Sequence, residues 1–70
     1  MNVGMAVAAK RREKGLTQSR FAVEADITLH TLRSVEESKN NTRILTLYAI
    51  CEALGITPAE LFKEAEKYEV

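Results

Sequence analysis

Two short amphipathic segments, separated by a break of only a few residues, fill the stretch from Thr17 to Ser38. In the first, Phe21, Ala22 and Ala25 fall at i, i+1 and i+4, which is one face of a helix. The second opens on Thr28, a strong N-cap type, and sets Leu32 and Val35 three apart with Ile27 just ahead of them. Two helices joined this tightly cannot lie antiparallel. They must cross at a steep angle, the geometry of a helix-turn-helix. One face of the second helix is then buried and the opposite face is turned outward.

Helical signals account for nearly all the rest of the chain, and no stretch alternates with period two. A first helix is predicted over about Val3 to Lys14, ended by Gly15 in a left-handed C′ position. Leu16 packs, and Thr17 caps a second helix over Gln18 to Ala25. Asp26-Ile27 is the turn, and Thr28 caps a third helix over Leu29 to Glu37. Ser38 to Asn41 is a polar loop, and Asn41 or Thr42 is the expected cap of a fourth helix. There Ile44, Leu47, Ile50, Cys51 and Leu54 form an apolar stripe that stops at Gly55. Thr57-Pro58-Ala59-Glu60 is a capping box with proline at the first helical position, opening a fifth helix over Pro58 to Tyr68. The expected architecture is all-α, a five-helix bundle forming a single domain over residues 1–70.

Composition narrows the function. Seventy residues, 46% of them hydrophobic and 29% charged, make an ordinary globular domain. A chain so short is marginal alone, which favours oligomerisation. One cysteine allows no internal disulfide, as expected of a cytoplasmic protein. No apolar run approaches the roughly 18 residues of a membrane span. The net charge is zero, but it is unevenly placed. Residues 1–43 carry eight Lys and Arg against five Asp and Glu, and residues 44–70 carry two against five, a split of +3 and −3. A molecule so polarised can present one basic face to a polyanion.

Four pieces in order, REKGLTQSRFA at Arg12 to Ala22, ADIT at Ala25 to Thr28, VEES at Val35 to Ser38 and ALGITPAELF at Ala53 to Phe62, carry a resemblance. The chain resembles the Cro/repressor-type helix-turn-helix family, often called the Xre family, from about Val3 to Phe62. It is similar to small phage repressors and to restriction–modification controller proteins, and to the latter in length as well. The resemblance implies a lambda-repressor-like domain that binds operator DNA, usually as a homodimer. It also implies an ion pair of Arg11 with Glu36 that ties the first helix to the third. The chain departs from the family where Asp26 and Ser38 replace usual glycines and Thr42 a common proline. Leu29 and Leu45 are apolar where polar residues are usual.

The third helix is then the candidate reader. Thr28, Leu29, His30, Thr31, Arg33 and Ser34 are its outward positions. Arg33 has the reach and the paired donors for guanine O6 and N7, and Leu29 suits a thymine methyl. Gln18 opens the second helix, where free backbone N–H groups favour an anion, and the family commonly contacts the DNA backbone there. Lys39, Asn40, Asn41, Thr42 and Arg43 lie before the fourth helix and would clamp phosphates beyond the reader. Ile56, Leu61, Phe62 and Ala65 are the expected dimer interface, because they offer more apolar surface than so small a domain can cover.

Catalysis has no constellation to stand on: His30 lacks a nucleophile or carboxylate partner in sequence. Cys51 lies on the apolar stripe and reads as a small hydrophobe. No metal, cofactor or small-molecule ligand is expected, since one Cys and one His do not make a metal site. The leading expectation is a sequence-specific DNA-binding transcriptional regulator of repressor or controller type. The alternative is a protein-interaction module on the same fold, such as an antitoxin-like partner binder, to which exposed Leu29, Leu45 and Tyr48 lend weight.

Overall fold

Residues 1–37 and 43–68 are described by a computed structural model. They form α1 (Val3–Glu13), α2 (Gln18–Ala25), α3 (Leu29–Glu36), α4 (Ile44–Leu54) and α5 (Pro58–Ala65), with no strand among the described residues. No single helix among them is long and apolar enough to cross a membrane.

One three-residue device recurs three times among the described residues: Gly15-Leu16-Thr17, Asp26-Ile27-Thr28 and Gly55-Ile56-Thr57. The first residue of each is left-handed, at φ 72°, 57° and 74°. The second donates its N–H back to the carbonyl five residues earlier, Leu16 to Arg11, Ile27 to Ala22 and Ile56 to Cys51, at 3.3, 3.0 and 3.0 Å. This is the Schellman closure, in which the residue after the left-handed one also makes an apolar contact. Leu16, Ile27 and Ile56 are accordingly half-buried against the core. The third residue caps the next helix: Thr17, Thr28 and Thr57 accept from the backbone N–H of Arg20, Thr31 and Glu60. Asp26 is the one non-glycine residue at positive φ among the described residues. Aspartate tolerates that conformation better than most side chains, at a cost glycine avoids.

The core gathers one face from every helix. Val7, Phe21, Leu32, Ile50 and Leu61 are its large, completely enclosed side chains. α1 packs most extensively on α5 and α3, while α2 lies against α3 and α4. The backbone N–H of Asn2 donates to the Ala65 carbonyl at 3.1 Å, joining the start of α1 to the end of α5. α4 and α5 meet at 94°. A full capping box of Thr57 with Glu60 opens α5.

Several expectations are corrected. Leu61 and Ala65 have no exposed surface. They are the core face of α5 and cannot line an interface with another molecule. Phe62 and Ile56 are half-buried at the core's edge. Ile44, expected on the buried stripe of α4, is 60% exposed, because the first turn of α4 projects past the core that Leu47, Ile50, Cys51 and Leu54 enter. Arg43 takes the N-cap position of α4 without a side-chain cap bond; Asn41 and Thr42, expected as caps, lie outside the described residues. α1 and α3 each stop one residue short of expectation, and α5 stops at Ala65, followed by a turn through Tyr68.

Candidate nucleic-acid interface

α3 presents two faces of opposite character. Leu32 and Val35 fix it to the core. On the other side Thr28, His30 and Arg33 are exposed, and Leu29, Thr31 and Ser34 are half-buried. Arg33 forms no ion pair with any described residue, so its guanidinium is available to an outside acceptor. The Thr28 hydroxyl accepts from the Thr31 N–H at 3.0 Å and donates to the Thr31 hydroxyl at 2.8 Å. That side chain is committed to capping α3. The proton of the Thr31 hydroxyl remains for an acceptor beyond the protein.

A buried polar cluster holds the far end of α3. Arg11 donates through Nε to Glu36 Oε2 at 2.7 Å and through Nη2 to Glu36 Oε1 at 3.1 Å. The side chains of Arg11 and Glu36 are only 9% and 5% exposed. Arg11 Nη1 donates to the Leu16 carbonyl at 2.8 Å, which fixes the turn leading into α2. Such a two-pronged arginine–carboxylate pair is among the strongest side-chain contacts in a protein. Gln18 Nε2 donates to Glu36 Oε1 at 3.0 Å. One Gln18 N–H is therefore taken inside the protein, a contact that sequence reasoning missed.

The remaining candidates divide. Gln18 is half-buried at the start of α2, and Arg43 is exposed at the start of α4. Lys39, Asn40, Asn41 and Thr42 lie outside the described residues. Free N–H groups at helix starts attract anions; at α2, Thr17 takes only the N–H of Arg20. Cys51 is 2% exposed and free. Burial raises its thiol pKa, which suppresses the reactive thiolate.

Two packed helices joined by a two-residue turn and a capping threonine, the second bearing free donors on its outward face, have the form of a helix-turn-helix domain. The chain belongs to the helix-turn-helix family, whose sequence model matches residues 7–61. It is 39% identical over 59 residues to the HTH-type transcriptional regulator y4dJ of Sinorhizobium fredii, spanning 84% of this chain and 77% of that one. It is 40% identical over 58 residues to the control protein C.MunI of a Mycoplasma species, spanning 81% and 78%. Among solved structures it is similar to the clp gene regulator ClgR of C. glutamicum, with a TM-score of 0.89 at 25% identity, over 99% of this chain and 90% of that one.

Proposed function

We propose that this protein is a sequence-specific DNA-binding transcriptional regulator of repressor or controller type, acting in the cytoplasm by binding and not by catalysis. The observation that carries the reading is the outward face of α3, where an unpaired Arg33 stands beside His30 and Thr31 on a helix held rigidly from behind. α3 enters the major groove. Arg33 and Leu29 address base edges, with His30, Thr31 and Ser34 beside them, while Gln18 and Arg43 meet phosphates on either side. Arg33→Ala should weaken binding to the operator by about 1–3 kcal/mol and binding to random duplex much less. Equal losses on both, measured by fluorescence anisotropy, would reassign Arg33 to the phosphate backbone.

Arg43 makes a different expectation. As a phosphate contact, its replacement by alanine should weaken all duplexes alike and lower the slope of log affinity against log salt by about one. An unchanged slope removes the start of α4 from the interface. The same titration bears on the second reading, a protein-interaction module, which the exposed Leu45 and Tyr48 favour at 78% and 55% exposure. A DNA binder shows a slope of about −0.9 for each phosphate neutralised, whereas an interaction module shows no measurable binding to random duplex.

The regulator acts as a homodimer in this reading. With Leu61 and Ala65 spent on the core, the surface offered to a second copy is the cluster of exposed Ile44, Leu45 and Tyr48 on α4, whereas Met1, Met5 and Val23 are exposed singly elsewhere; Ile56 and Phe62 keep only partial exposure. A two-fold pair would place the reading helices about 34–36 Å apart, on an inverted repeat with half-sites one helical turn apart.

A further inference from the structure

We propose that Glu36 is a positioning residue for Gln18, holding that amide so that its second N–H faces the DNA phosphate at the start of α2. The inference rests on the phosphate role of Gln18 proposed above.

A glutamine amide at a protein surface can present either its oxygen or its nitrogen, because the two ends are nearly the same shape. At Gln18 the choice is made by Glu36. Its Oε1 accepts from Gln18 Nε2 at 3.0 Å, and turning the amide over would set a carbonyl oxygen against a carboxylate. The amide nitrogen is therefore fixed, and it has one further N–H to give. A phosphate, which only accepts, needs that donor.

The charge of Glu36 would by itself repel a phosphate nearby. Arg11 offsets it with two hydrogen bonds to the same carboxylate, so an incoming phosphate meets a directed donor beside a neutralised pair. The same guanidinium holds the Leu16 carbonyl and so places the first turn of α2. Glu36 is the last residue of α3. One carboxylate thus sets both the seat of the reading helix and the aim of the backbone contact next to it.

The test begins on the unaltered protein, with its single glutamine, Gln18, labelled with nitrogen-15 in the side chain. One Gln18 amide proton should be shifted downfield and slow to exchange in the free protein, and the other should move when random duplex is added. Two protons at the ordinary shifts of a solvent-exposed primary amide, both exchanging fast, would overturn the proposal without any substitution. Affinity for random duplex is then measured for Gln18→Met, Glu36→Gln and the double variant, at a temperature where circular dichroism shows each folded. Gln18→Met should weaken binding about two- to tenfold, the range of a single hydrogen bond. Glu36→Gln should weaken it by the same factor, and the double variant no further. Losses that multiply would show that Glu36 acts on the fold alone and would leave the phosphate role of Gln18 standing. No loss in Gln18→Met would remove that role, and this proposal with it.

Discussion

Arg11→Ala is expected to lower the folding free energy by about 3–5 kcal/mol, as is Glu36→Ala, because each leaves its partner's charge enclosed and uncompensated. The side chains are 9% and 5% exposed and share a bidentate contact, so water screens them little. A small domain has only about 5–15 kcal/mol in total, so either change should bring the protein close to unfolding at ambient temperature. Replacing both by apolar residues of similar volume should cost much less than the two losses together, since no charge is then stranded. Urea denaturation of the single and double variants measures all three. A loss below about 1 kcal/mol in both single variants would place the pair in the solvent-screened class instead.

Leu61→Ala should cost about 2–5 kcal/mol, the range for truncating an enclosed leucine. Leu61 has no exposed surface, and it sits among the buried side chains of the common core. The loss should not depend on protein concentration. That separates a core residue from an interface residue, whose truncation would shift a monomer–dimer equilibrium and leave the monomer's stability intact. Thermal melts over a hundredfold concentration range decide between them, and a stability unchanged at every concentration would contradict the packing described.

Much of this fold is written in local chemistry. The breaks at Gly15, Asp26 and Gly55 and the caps at Thr17, Thr28 and Thr57 were legible because capping acts within one helical turn. The recurrence of those breaks and caps as a single device shows only when the backbone turns and the half-buried Leu16, Ile27 and Ile56 are seen together. Periodicity was a weaker guide. It shows that a helix has an apolar face, not what the face meets, so Leu61 and Ala65 read as spare surface although they are the centre of the core. It also cannot say where a core stops, hence the exposed Ile44 at the head of a stripe that is buried further along.

The candidate site was legible in the same uneven way. The two faces of α3 follow from the spacing of Leu32 and Val35. The link of Arg11 to Glu36 spans 25 residues and was available through family resemblance alone. The link of Gln18 to Glu36 spans 18 and left no trace in any local pattern. Contacts of that reach are set by how three helices dock, which no single segment encodes.

The central claim is that α3 reads a DNA sequence from a two-fold assembly. Selection of bound duplexes from a random pool addresses it most directly. An inverted repeat with half-site centres about 10–10.5 base pairs apart should be enriched, and preference at a guanine position should be lost when the pool is selected with Arg33→Ala. A pool that emerges with no enriched sequence, at salt low enough for the protein to bind duplex, would contradict it.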